Sequence, residues 1–348
     1  MKRSTSAALV LLSWAMLLVP WRAGLAQTSG DFDAAWRKPL FSRNQFPILL
    51  LFLGFEPERA ASLRAGQTSF NFDLGLSNII KESSLVTDDP TAEGLVIDYE
   101  WWRFVAQFEM GLGQGFQWSV SLPLYYRSGG FMDPFISSFH ESFGIPNSVR
   151  LRTPEYLFSY KLYINDRLAL GPLRRGAVLG DTVLSLKKVW HFSGTEFGVR
   201  AAIKAPTGPW AEAAGSGAWD LGFGLILSGY GRSFGYTLNA NYCLLGSPRV
   251  EGLKARDYFS FMAGLDLRLS RSLAFLVQAD YLDCFVTSLI PILNRRTGQL
   301  AVGLRGRLSD RSTLEFRLTE DLGAASPDFT LGLRLEFLGR GPGRGPGS

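Results

Sequence analysis

The feature that most constrains this chain is a period-two alternation of apolar and polar residues, sustained over runs of about 10–14 residues. Phe329, Leu331, Leu333, Leu335 and Phe337 alternate with Thr330, Gly332, Arg334 and Glu336. Phe259, Phe261, Ala263, Leu265, Leu267 and Leu269 do so with Ser260, Gly264, Asp266 and Arg268, and Trp219, Leu221, Phe223, Leu225 and Leu227 follow the same rule. Strands in soluble sheets are usually about five or six residues long. A tilted strand that crosses a bilayer needs about 9–11. The runs therefore suit a barrel that turns its apolar face to lipid and its polar face to a lumen.

Alternation alone would also fit a soluble sandwich, so other features have to decide. Aromatic residues recur at run ends (Trp102, Trp118, Tyr126, Trp190, Trp219, Phe234, Tyr242, Tyr281), where interfacial girdles lie. Connections alternate between tiny, as at Gly113-Gln114-Gly115, Gly231-Arg232 and Ser309-Asp310, and long, as at residues 77–92, 128–177 and 287–296. Short periplasmic turns and long outer loops are the outer-membrane asymmetry. Strands are expected at residues 63–76, 94–112, 116–127, 178–191, 195–207, 218–230, 233–246, 257–270, 272–286, 297–308, 311–322 and 328–338. The fold class is thus all-β, an antiparallel up-and-down transmembrane barrel of about 12 strands over residues 63–338. Residues 156–163 are assigned to a hairpin within the 128–177 excursion, because one more crossing would invert every later strand. Fourteen strands would follow if that excursion added a full hairpin.

Residues 1–26 read as a cleaved signal peptide: Lys2 and Arg3, an apolar stretch from Ala7 to Val19, and small residues before a cut after Ala26. Export places the mature chain in the Gram-negative envelope, at the outer membrane. The net charge is +5. Lys2, Arg3, Arg22, Arg340 and Arg344 account for it, so the body is neutral and offers nucleic acid no basic footprint. The longest later apolar run, FPILLLFLGF at residues 46–55, is too short to span as a helix. Residues 339–348 form a flexible Gly/Pro/Arg tail.

The stretches PLFSRNQFP (residues 39–47) and SGGFMDPFISSFHESFGIP (residues 128–146) resemble an uncharacterised Gram-negative outer-membrane family catalogued as domain of unknown function 3187. GDTVLSL and KAPTGPWAEAAGSGAWD, within residues 180–220, are similar to a wider set of barrels. That set includes the barrels of phenol meta-pathway operons and implies a transporter. The resemblance implies outer-membrane location and barrel fold, assembled by the barrel-assembly machinery in outer-membrane lipid. It carries no established activity.

Three candidate sites follow. Asp133, Pro134 and Gly144 punctuate a short amphipathic helix in the long extracellular loop. Its stripe is Phe131, Phe135, Phe139 and Phe143 with His140 beside it, and it would act as a lid or as rim packing. Residues 27–62 precede the barrel; from Trp36 to Ala60 they are too apolar to stay solvated and would plug the lumen or pack beneath it. Arg43, Asn44, Phe46 and Pro47 mark that candidate plug. Parity turns Arg103, Lys187, Arg200, Asp266 and Asp280 inward, with the densest charge at Arg305, Arg307, Glu315, Arg317 and Arg334. This cluster could meet an anionic solute.

Enzyme signatures are poor. Two histidines, no Cys/His metal spacing and no phosphate loop argue against catalysis, cofactor or metal. A surface lipid-modifying site built on Ser137, His140 and Asp133 is a remote alternative, because no oxyanion donors accompany it. Cys243 and Cys284 fall on strands two apart, beyond the bridging limit of roughly 7 Å in a regular sheet. The expected function is a passive channel or transporter for a small solute. Its rival is a structural or envelope-interaction barrel with a closed lumen.

Overall fold

The computed structural model describes residues 36–83, 93–134, 137–138, 141, 154, 156–322, 327 and 329–339. Residues 1–26, 135, 139, 140, 143 and the tail beyond 339 lie outside the described residues, and with them the expected signal peptide and most of the loop-helix stripe.

Among the described residues there are seventeen strands: β1 (Thr68–Ser83), β2 (Gly94–Gly113), β3 (Phe116–Ser128), β4 (Ser159–Ile164), β5 (Arg167–Leu170), β6 (Gly176–Leu179), β7 (Thr182–Phe192), β8 (Thr195–Ala205), β9 (Asp220–Tyr230), β10 (Phe234–Leu244), β11 (Lys254–Ala255), β12 (Tyr258–Arg268), β13 (Leu273–Leu282), β14 (Val286–Thr287), β15 (Thr297–Ser309), β16 (Ser312–Asp321) and β17 (Phe329–Leu338). Twelve of them (β1, β2, β3, β7, β8, β9, β10, β12, β13, β15, β16, β17) form a closed antiparallel barrel, with β1 pairing β17 from Ser69↔Leu338 to Asn78↔Phe329. Closure leaves no edge in the membrane to seek another chain.

Parity follows the alternation. Phe223, Leu225, Phe259, Phe261, Leu265 and Leu333 are exposed on the outer wall, while Arg200, Asp220, Asp266 and Arg334 are buried inside. No helix among the described residues is long and apolar enough to cross a membrane; strands make the crossing. The tight turn after β2 runs through Gly113, Gln114 and Gly115 at φ +87, +51 and +81°, a left-handed path that favours glycine. A Cβ at Gly115 would also meet the Val189 carbonyl oxygen at 2.3 Å.

Two departures from the expected boundaries have local causes. β1 begins at Thr68 rather than at residue 63, because residues 63–67 turn instead, with Gly66 at φ +70° and the Gly111 amide donating to the Gln67 carbonyl at 3.0 Å. The stave expected at 178–191 is split into β6 and β7. β3 pairs β6 through Leu124–Arg127 and β7 through Phe116–Ser121. Pro123 cannot donate to the ladder, and its carbonyl accepts instead from the Gly180 amide at 2.8 Å. β4 and β5 form the hairpin placed in the long excursion, and β4 pairs the upper end of β2 at Gly94–Asp98.

Over the long-loop end lies an apolar roof. Val250 and Leu253, the β11–β14 ladder, and Phe285, Val286, Ile290 and Leu293 join Tyr99, Trp101, Tyr125, Tyr160 and Leu162 from the wall and hairpin. Their partner at the centre is residues 46–53, at the tip of the amino-terminal segment.

Candidate functional site

Residues 36–62 run inside the barrel as a bent hairpin. The ascending leg starts at the short-turn end, where the Arg37 guanidinium donates to the Gly231 carbonyl at 2.7 Å and pairs with Asp266. Lys38 pairs with Glu336. Above them the Phe41 amide donates to Glu315 at 3.0 Å, and the Ser42 hydroxyl to Asp280 at 2.6 Å. Trp36 and Leu40 pack on Ala274, Leu276 and Ala301.

Phe46, Ile48 and the Leu49–Leu51 3-10 turn then fill the roof with Phe52 and Leu53. Phe52 meets Phe285 edge-on, with ring centroids 5.4 Å apart. Each fully buried Leu or Phe there is worth about 1.5–3 kcal/mol of transfer free energy. This is where the unexplained apolar run of the sequence goes.

The descending leg is held by charge. The Leu53 amide donates to Asp220 at 2.8 Å, and Tyr258 donates to the Leu53 carbonyl at 2.5 Å. Glu56 pairs with Arg103, and Glu58 with Lys187 and, at 3.2 Å, with Arg200. Burial pushes the Glu58 carboxyl up, but Lys187 and Arg200 outweigh it and hold it below its ordinary value. Arg59 grips Glu196 with two nitrogens at 2.8 and 2.9 Å and donates to the Arg37 carbonyl at 3.3 Å, tying the feet of the hairpin together. Small wall residues make room for it: a Cβ at Gly75 would meet Gln45 Nε2 at 2.1 Å, and one at Gly222 the Phe55 ring at 2.6 Å.

Beside the hairpin is a cavity of about 1320 Å³. It opens among the short turns at Gly194, Gly231, Arg271 and Asp310, and rises past Gln107, Ser119 and Ser185 to Tyr125 and Phe52 beneath the roof.

A family model described as "Protein of unknown function (DUF3187)" matches residues 30–338. The chain belongs to the DUF3187 family. No curated protein matches it. Among solved structures, the COG4313 outer membrane channel from Pseudomonas putida F1 is similar over 82% of this chain and 100% of that one, at 12% identity and a TM-score of 0.54. The KdgM porin aligns over 77% of this chain and 98% of its own, at 7% identity and TM-score 0.40. The Pseudomonas putida toluene transporter TodX aligns over 87% and 100%, at 9% identity and TM-score 0.37. The first likeness shows a shared outer-membrane barrel fold, which the apolar outer wall of this DUF3187 member matches.

Of the expected cluster, Arg305 pairs with Glu315, and Arg317 bridges Asp73 at 2.6 Å and Glu315 at 3.3 Å. Arg334 lies 3.8 Å over the Phe41 ring and donates to Gln107 at 3.2 Å. Arg307 stands apart at the mouth, 3.9 Å from Asp310. Arg43 donates to the Phe52 carbonyl at 2.7 Å, bracing the hairpin from within, and Asn44 reaches Thr297 at 3.4 Å. Pro47 is buried in the bend. Phe131 is exposed beside Trp102, at a ring distance of 6.4 Å. Asp133 accepts from Asn78 at 3.1 Å and from the Tyr156 amide at 2.9 Å, a loop-anchoring role. Phe135, Phe139, His140 and Phe143 fall outside the described residues. Cys243 and Cys284 are free, buried thiols. Sequence reading missed Arg37, Glu56, Glu58 and Arg59. The available signal was charge crowded on both flanks of an apolar run too short to span.

Proposed function

We propose that this DUF3187 member is a gated passive channel or transporter for a small solute, with residues 36–62 as its plug. The observation that carries the reading is the cavity of about 1320 Å³, open at the short-turn end and stopped below the roof by the plug tip. A solid interior would not leave such a volume, and a permanent pore would not carry an apolar stopper. The reading is non-enzymatic, and the channel named by the COG4313 structure supports it at the level of fold. Small solutes would enter through the roof, pass the plug and leave by the hollow lower half. Insertion into outer-membrane lipid is assigned to the barrel-assembly machinery, with β17 as the strand it reads.

Deleting residues 45–55 tests the gate. Conductance in planar bilayers should rise well above that of the full chain. A deletion variant that keeps heat-modifiable gel migration, and hence a folded barrel, yet stays silent would replace the channel with the closed structural barrel.

A further inference from the structure

The cavity is lined by sixteen Lys and Arg against seven Asp and Glu. Part of that excess is neutralised by the wall itself. Lys204 is held by Asp181 and, at 3.3 Å, by Asp220, and Arg305 is held by Glu315. Two groups of cations have no such wall partner.

The first group rings the mouth. Arg64, Arg232, Arg271 and Arg311 are exposed there and have no ion-pair partner among the described residues. The second is a stripe inside, formed by Arg103 on β2, Lys187 on β7 and Arg200 on β8. Their ion-pair partners among the described residues stand on the plug: Glu56 for Arg103, and Glu58 for Lys187 and Arg200. Even so, donors are left over. Arg103 Nε, Arg200 Nε and Arg334 Nη1 are buried and find no acceptor. Buried cations without counter-charge are costly, so a path cleared of the descending leg needs an anion to replace those two carboxylates.

We infer that the solute is a small organic anion bearing more than one carboxylate, which binds Arg103, Lys187 and Arg200 in place of Glu56 and Glu58. The mouth arginines, beyond the stripe at the short-turn end, draw the anion on toward the exit by long-range attraction. The plug carboxylates are then resident competitors, two residues apart on an extended leg, and the gate is released by the molecule it admits. This rests on the reading of the lumen as a solute path.

Citrate is a suitable probe. Calorimetric titration into the full-length protein in detergent should show binding, and Glu56→Gln with Glu58→Gln should tighten it by about tenfold, because a tethered competitor at millimolar effective concentration is gone. Adding Arg103→Gln, Lys187→Gln and Arg200→Gln to that background should abolish the gain, while heat-modifiable migration reports an intact barrel. Unchanged affinity in the double variant, or an equal gain without the three cations, overturns the proposal. Bilayer recordings separate the two readings. Current through the double variant that favours chloride over potassium and falls several-fold with citrate supports the anion path. Current that favours potassium overturns the anion inference and leaves the channel standing. Citrate binding without any current keeps the anion site and overturns the channel.

Discussion

The two legs of the luminal hairpin are fastened in different ways. The ascending leg lies against β12, β13, β15 and β16 with packing at Leu40 and neutral donors at Phe41 and Ser42, besides its two ion pairs at the foot. The descending leg is fastened by the ion pairs of Glu56, Glu58 and Arg59 to β2, β7 and β8 and by hydrogen bonds to Asp220, Asn239 and Ser228, beside the cavity of about 1320 Å³. Packing is lost all at once when atoms separate, and no solvent replaces it. Ion pairs that border a cavity can exchange one carboxylate for another, although losing a carboxylate without replacement is costly. The difference makes the ascending leg an anchor and the descending leg the part that yields.

The largest effect should come from the anchored parts. Phe52→Ala in the roof should cost about 3–5 kcal/mol, and Leu40→Ala about 2–5, read from urea unfolding of the reconstituted barrel. A loss at Leu40 no greater than that of a surface change would remove the anchor from the comparison. Next comes the outer wall, which sets the scale for a purely lipid contact. Leu333→Arg should cost about 2–4 kcal/mol near mid-strand. The inner neighbours Gly264 and Gly332 are not equivalent controls. A Cβ at Gly264 meets nothing nearer than 3.5 Å, whereas one at Gly332 meets the Arg317 guanidinium at 2.3 Å. Gly264→Ala should therefore be near neutral, and Gly332→Ala should disturb the Arg317–Asp73 bridge.

Glu58→Gln should cost more than the roughly 1 kcal/mol of an exposed pair, because Lys187 and Arg200 are buried and lose a counter-charge; citrate should recover the loss, and channel activity should rise. Damage from Glu58→Gln that equals that of Leu40→Ala and that citrate does not recover would erase the distinction between the legs. The smallest effect is one of acidity. The Glu58 carboxyl is held below its ordinary value of 4.5 by Lys187 and Arg200, so its contribution is complete above that value and is lost as the pH falls through the depressed one. Conductance should be flat from neutral pH down to the ordinary carboxylate range and rise below it. The acid limb should be missing in the Glu58→Gln variant.

The wall was legible in the sequence because a strand has a period of two and a bilayer has two sides. The outward placement of Leu265 and Leu333 and the inward placement of Asp266 and Arg334 follow from that alone. Strand ends were less legible. The split at Gly180 depends on Pro123, some sixty residues earlier, and local pattern cannot report a neighbour across the sheet. The path of the hairpin was invisible for the same reason. Nothing near Glu58 in sequence specifies Lys187, and nothing near Gln45 specifies Gly75. Composition could say that residues 46–55 needed cover, but not that the cover would be the roof over their own barrel.

The bond between Lys38 and Glu336 joins residues 298 positions apart. The hairpin is made before any strand, yet many of its wall partners stand on the last strands to leave the ribosome. The partners Asp266, Glu315 and Glu336 stand on β12, β16 and β17, and β17 is also the strand that closes on β1. Residues 36–62 lie within a wall that the seam between β1 and β17 closes. Contacts of such long range are slow to make, so the bonds of the ascending leg and the seam between β1 and β17 should be among the last parts of the barrel to be completed.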